Sequence, residues 1–352
     1  MARYTIEPGD AVADKEDVLA LGKRNLPSFT EARYSRYYEH CPIAETRFWI
    51  ARESTSGAAV GMLALIPALL QVDGRSMLVG LHADLAVDEG HRGFGPAPSL
   101  MQRLIDELPS TGVEAVLGMA NDASEGLVLR FGYAPVGRFL GLVKPIRFDR
   151  VLERAERLRP SVRPYARVLE PIHRVRSRER RGLLRGRALR VETLPGFDQR
   201  FGELWRRASS AHRVVGERSA TYLNWKYGLD RKGGRDRDLL TVWERDDLAG
   251  YAVTEVRGGL LTVDDLLVRA PGAALDRLLA WIVALGRRRG VEAVAFRYLG
   301  PESFVTARMR SFGFLRWTRG QLVLVRVTDR FTGDTRALEP SCWSLVGGDR
   351  DI

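Results

Sequence analysis

Cysteine is nearly absent from this sequence. Only Cys41 and Cys342 occur in 352 residues. They form no metal-ligand or redox spacing, which excludes a zinc ribbon, a CxxC centre and a disulfide scaffold, and both are expected as free thiols. Histidine is equally sparse: five residues, no two of them at metal-ligand spacing, so no metal is expected. Lysine is scarce too, at five of the 55 basic residues. No apolar run reaches transmembrane length, and the opening "MARYTIEPGD" carries charge and then reads as a strand, unlike a secretory leader. These absences predict a cytoplasmic globular protein, and the length predicts two or three domains.

Charge is present but concentrated. The net charge is +11, and residues 150–192 alone hold fourteen Arg against five Glu, a net +9. Basicity therefore belongs to one segment and does not mark the whole chain as a nucleic-acid binder. Pro160, Pro164 and Pro171 interrupt that segment, and Tyr165 is its single aromatic residue, whereas single-strand binders use several stacking rings. We read 148–188 as a partly helical Arg-rich linker, either simply solvated or in contact with an anionic surface.

The informative stretch is "DLAVDEGHRGFGPAPSLMQRLIDEL", Asp84 to Leu108. It begins as a strand, passes through a glycine- and proline-rich turn, and ends as a helix. A helix start presents unpaired N–H groups and the positive end of a dipole, and glycine lets an anion approach the backbone. A Walker loop is excluded because no Lys-Ser/Thr follows the glycines. The dinucleotide fingerprint fails because Pro98 stands at its third glycine. What remains is Arg-x-x-Gly-x-Ala, carried by Arg92, Gly95 and Ala97.

The chain also repeats itself. "DLAV" at Asp84–Val87 answers "DLLV" at Asp265–Val268, and "FGY" at Phe131–Tyr133 answers "FGF" at Phe312–Phe314. From the Asp to the late Gly is 48 positions in each half (Asp84 to Gly132, Asp265 to Gly313), which argues for duplication. Each half predicts an early strand and helices, a run of strands, a central strand leading into a helix, then strand, helix and a last strand, over 134–146 and 314–327. The domains predicted are 1–147, the linker 148–188, a second domain 189–328 and a C-terminal tail 329–352.

With those marks, both halves resemble the GNAT superfamily of N-acetyltransferases, and the Arg92/Gly95/Ala97 loop resembles the loop that holds the coenzyme A pyrophosphate there. The whole is similar to tandem-GNAT proteins: on "GMLALIPALLQVDGR", "ATYLNWKYG" and "CWSLVGGDRD" to acyltransferases associated with polysaccharide biosynthesis, and more distantly to Fem-type transferases. The fold class expected is α/β, an α+β mixed sheet in two tandem GNAT-like domains. The resemblance implies acetyl-CoA or another acyl-CoA as co-substrate, no metal, backbone contacts from Leu85, Ala86 and Val87 to the pantetheine arm, and pyrophosphate contacts from Arg92, Gly93, Phe94, Gly95, Pro96 and Ala97. Asn121 matches a family Asn near the thiol end.

A second Arg-x-x-Gly-x-Ala, at Arg269, Gly272 and Ala274, follows its strand too closely. One position separates Val268 from Arg269, against five from Val87 to Arg92. It reads as an ordinary helix start, so the second domain is expected to be degenerate.

Transfer to an amine needs a proton acceptor, since alkyl amines are mostly protonated at neutral pH, and N–H donors for the oxyanion. Period-two alternation places His82, Asp84 and Ala86 on one face of the central strand. Asp84 matches the family's carboxylate base and His82 is the second candidate; each also has a structural reading, as a loop-orienting or ammonium-binding carboxylate and as a hydrogen-bonded histidine. The Tyr that many relatives carry four residues before the late Gly is absent: Val128 and Met309 stand there.

On the acceptor side, Tyr34, Tyr37 and Tyr38 share a helix face by i, i+3, i+4 spacing. They either wall the site or pack as core. The expected activity is N-acyl transfer from acyl-CoA to a small-molecule amine, such as an amino sugar or cell-envelope precursor. A Fem-type transferase using charged tRNA is the alternative, the one case in which nucleic acid is expected, and a non-catalytic binding protein is the third reading.

Overall fold

The computed structural model describes residues 3–93, 95–147, 188–228, 237–270 and 272–350. The Arg-rich linker therefore lies outside the described residues over 148–187, as does Phe94 of the glycine loop. The chain divides into two compact units, one of residues 1–137 with 321–340, the other of 138–320 with 341–350.

The first unit is built on a mixed sheet. Its strands are β1 (Tyr4–Pro8), β2 (Arg47–Glu53), β3 (Ala59–Val72), β4 (Arg75–Val87) and β5 (Ala115–Ala120). The first four are antiparallel neighbours in order, and β5 then runs parallel to β4. Helix α1 (Lys15–Asn25) carries Glu16 and Asp17 in its first turn and Lys23 and Arg24 in its last, matching its dipole. A short α2 (Glu31–Tyr34) continues as a wide turn over Ser35–Glu39. Helix α3 (Ala97–Thr111) buries Leu100, Met101, Leu104 and Leu108 as one stripe, and stops at Gly112, whose φ of 76° favours glycine. Helix α4 (Glu125–Arg130) lies between β5 and the last strand of this half, β6 (Ala134–Pro145).

The second unit repeats the plan with β7 (Arg190–Leu194), α5 (Gln199–Ala208), β8 (Val214–Gly216), α6 (Ala220–Tyr227), β9 (Arg237–Glu244), β10 (Asp247–Arg257), β11 (Leu260–Val268), α7 (Ala273–Arg288), β12 (Ala293–Leu299), α8 (Phe304–Ser311) and β13 (Leu315–Val327). Its order, β7-β9-β10-β11 antiparallel and then β12 parallel to β11, copies the first.

The closing strands are exchanged. In the first unit, β5 is flanked by β13, Leu322 facing Ala120 through Val327 facing Ala115. In the second, β12 is flanked by β6, Leu140 facing Tyr298 through Pro145 facing Ala293. Each compact unit thus contains the last strand of the other half, and the unit boundary at 137 falls inside the strand that the sequence division at 147 assigns whole to the first domain. Accordingly Leu322 and Leu324 are buried with Trp49, Leu104 and Val116, while Leu142 is buried with Leu278, Ile282 and Phe296. The C-terminal segment is likewise part of a unit: β14 (Trp343–Val346) pairs with β12 and β8.

Candidate active site

The β4–β5 ladder in the first unit ends at His82 facing Gly118, although β4 runs on to Val87 and β5 to Ala120. Leu85, Ala86 and Val87 lie beyond that point, with Ala86 and Val87 still paired to Met62 and Gly61 of β3. Backbone groups on the other edge of β4 are thereby directed into a wedge between two parting strands. Among the described residues of this unit, no strand pairs with β5 on that side beyond Gly118.

A bulge accompanies the parting. Ala83 faces Ala64 and Ala86 faces Met62, so Asp84 and Leu85 together oppose Leu63. Asp84 takes φ 53°, a left-handed value uncommon outside glycine. The simple two-residue alternation expected through His82, Asp84 and Ala86 is broken there, because the inserted residue turns the strand.

Asp84 is buried and already engaged. Arg33 Nη2 donates to its Oδ1 at 2.7 Å and the Tyr38 hydroxyl donates to its Oδ2 at 2.9 Å. This is a carboxylate holding a buried guanidinium and a phenol. His82 is buried as well, and desolvation lowers its pKa to about 4, so the imidazole is neutral at pH 7 and a weak base. Its Nδ1 has no hydrogen-bond partner among the described residues.

The loop after β4 is pinned to α1. Asp88 accepts from Arg24 at 2.8 Å and Asn25 at 2.6 Å, while Arg92 donates to the Val87 carbonyl and to Asn25 Oδ1, each at 3.0 Å. Arg92 therefore braces the loop with its own side chain. Gly93 needs glycine for its φ of 88°, and a Cβ on Gly95 would lie 1.6 Å from the His91 carbonyl oxygen. Pro96 then leads into α3 at Ala97, and no side chain caps that helix and no acidic residue occupies its first turn. A compact glycine loop ending at an uncapped helix start suits a phosphate.

The other expected site residues already have partners within the unit. Asn121 Oδ1 accepts from the N–H groups of Ala123 at 3.1 Å and Ser124 at 3.0 Å, so it shapes the turn into α4. Tyr34, Tyr37 and Tyr38 are all buried. Tyr34 donates to the Ala11 carbonyl at 2.8 Å and stacks on Tyr38 at 4.7 Å, and burial pushes its pKa up to about 12. Tyr38 is raised well above its ordinary value, first by burial and then by Asp84. The ring of Tyr37 lies under the Arg33 guanidinium. Their common stripe faces inward because they supply the phenol and the ring contacts around the Arg33–Asp84 pair.

Tyr133 is the residue that sequence reasoning passed over. "FGY" reads as a turn mark, yet the Tyr133 ring is 5.9 Å from that of His82 and packs over Gly118, where a Cβ would meet it at 3.6 Å. Its hydroxyl is buried and has no hydrogen-bond partner among the described residues, and burial raises its pKa.

The second unit repeats the pair and fills the wedge. Arg218 Nε donates to Asp265 Oδ1 at 3.0 Å and the Tyr227 hydroxyl donates to Oδ2 at 2.9 Å. The β11–β12 ladder ends at Val263 facing Phe296, and β14 then pairs with Tyr298 and Leu299 of β12. Beyond β14, Asp349 accepts from Arg218 at 2.6 Å and from the Val346 N–H at 2.9 Å, and a Cβ on Gly348 would lie 2.8 Å from the Asp264 carbonyl oxygen. Four residues separate β11 from α7, against nine between β4 and α3. Arg269 turns to Glu244 at 2.6 Å and Asp247 at 3.4 Å.

Among the described residues no group of His, Cys, Asp and Glu has metal-binding geometry, and no helix is long and apolar enough to cross a membrane.

Residues 13–136 match the family model of the acetyltransferase (GNAT) domain. The fold is that of solved GNAT structures. A GCN5-related N-acetyltransferase from Anabaena variabilis superimposes with a TM-score of 0.62 at 14% identity, over 92% of this chain and 73% of that one. A tandem GNAT protein from the clavulanic acid biosynthesis pathway gives 0.58 at 14% identity, over 92% of this chain and 98% of that one. N-myristoyltransferase of Saccharomyces cerevisiae gives 0.61 at 13% identity, over 97% of this chain and 86% of that one. At such identities the likeness shows the fold. No curated protein matches the chain in sequence.

Proposed function

We propose that this chain, a GNAT-type acyltransferase by its 13–136 domain and its tandem fold, uses the wedge of its first unit to transfer an acyl group from acyl-CoA to an amine, such as an amino sugar or cell-envelope precursor. The observation that carries the reading is the parting of β4 and β5 after His82–Gly118, followed directly by a compact loop and the uncapped start of α3. An acyl-CoA supplies the thioester. The chain's part is to bind and orient it: β4 backbone groups beyond His82 along the pantetheine, and the loop and α3 N–H groups at the pyrophosphate. Two buried polar atoms without partners among the described residues, His82 Nδ1 and the Tyr133 hydroxyl, fit a polar group seated in the wedge. In the second unit the corresponding wedge takes up that unit's own β14, which leaves the first unit as the one we assign to acyl-CoA.

The amine reacts in its neutral form. An imidazole near pKa 4 is a poor match for removing a proton from an ammonium near 10, a gap of about 6 units or ~8 kcal/mol. Asp84 holds Arg33 and Tyr38. The acceptor therefore enters as the neutral fraction of the amine already in equilibrium with bulk solvent, and the chain contributes position and oxyanion donors. Thiol release from acetyl-CoA with glucosamine and other primary amines as probes tests this. Turnover that survives ribonuclease supports the reading, and strict ribonuclease sensitivity points to a tRNA donor and contradicts it.

A further inference from the structure

Two features converge on one residue. Gly118 is the last β5 position paired to β4, and a Cβ there would touch both Val128, at 3.5 Å, and Tyr133, at 3.6 Å. Residue 128 offers only an isopropyl group there. The Tyr133 ring reaches the same glycine from the other side of the Gly132 turn. Its hydroxyl is buried, where an unsatisfied donor is costly, yet it bonds to nothing among the described residues. Beside it His82 Nδ1 is also buried and unpartnered among those residues.

Resting on the acyl-CoA reading of the wedge, we propose that the Tyr133 hydroxyl donates a hydrogen bond to the thioester sulfur and holds it as the acyl group leaves. The amine nitrogen attacks the carbonyl carbon, the C–N bond forms, and the C–S bond breaks with its electron pair left on sulfur. One nitrogen proton is lost, and the net reaction places a proton on the CoA thiol. Tyr133 keeps its own proton throughout. Burial raises its phenol above the ordinary value near 10, and so above the CoA thiol, and giving the proton up would be uphill. A donated hydrogen bond to the sulfur is what remains, and it strengthens as negative charge develops there.

Binding of CoA and desulfo-CoA to the full chain and to Tyr133→Phe, by calorimetry at about pH 10 where much of the thiol is ionised, tests this. The wild-type preference for CoA over desulfo-CoA should exceed that of Tyr133→Phe by about tenfold, the size of one hydrogen bond to a charged acceptor, with desulfo-CoA affinity unchanged. Because the hydroxyl has no partner among the described residues, the Phe variant should melt at the same or a higher temperature. Equal preference in both proteins overturns the proposal. So does a Phe variant that melts lower or fails to fold, since the hydroxyl would then serve structure. No binding of either ligand by the wild type overturns the acyl-CoA reading itself.

Discussion

Arg33 and Asp84 form a buried ion pair at 2.7 Å in the first unit, and the second unit repeats it as Arg218 and Asp265 at 3.0 Å. A tyrosine hydroxyl completes each, from Tyr38 and Tyr227. The arrangement recurs where the wedge is filled by the chain itself, and on that ground we propose that it serves the fold.

Asp84→Asn should therefore act first on stability. It removes the carboxylate that balances a buried guanidinium, a loss of about 3–5 kcal/mol. Adding Arg33→Met should recover part of it. Denaturant unfolding checks this; a variant of wild-type stability whose kcat alone collapses would return Asp84 to the role of base.

Stability should fall as the pH drops from about 6.5 to 4. His82 is about 4 when folded, below its unfolded value, so the unfolded chain binds the proton that the folded chain refuses. The stabilisation is full above 6.5 and is lost towards 4, by about 3 kcal/mol from this one group. His212 is also lowered by burial and adds in the same direction. Unfolding midpoints against pH should be flatter for His82→Gln; an unchanged slope would contradict the burial of His82.

Removal of 343–352 should destabilise the second unit and create no new CoA site. Trp343 is fully buried, and Asp349 accepts from Arg218 at 2.6 Å. A truncated chain of unchanged melting temperature that binds a second CoA would show the tail to be a removable plug.

Much of this was legible in the residues. The equal spacing from Asp84 and Asp265 to the late glycines reports a duplication, and the two halves share one strand order. The loop was legible because glycine at 93 and 95 answers backbone needs that no other residue meets. Pairing partners are another matter. β6 and β13 each read as a strand, but alternation along a strand does not say which neighbour it will join. The bulge at Asp84 was hidden because Asp enters the left-handed region without a distinctive neighbour. Tyr34, Tyr37 and Tyr38 give the same stripe whether they line a site or pack inside, and only burial separates the two. β14, four residues long, is too short to show a period.

The central claim is that the first unit alone holds acyl-CoA, and calorimetric titration with acetyl-CoA tests it most directly. The account predicts one site per chain, lost in Gly95→Ala, where a Cβ would lie 1.6 Å from the His91 carbonyl oxygen, and kept in Gly272→Glu. Two sites per chain, or loss of binding in Gly272→Glu with Gly95→Ala unaffected, would contradict it.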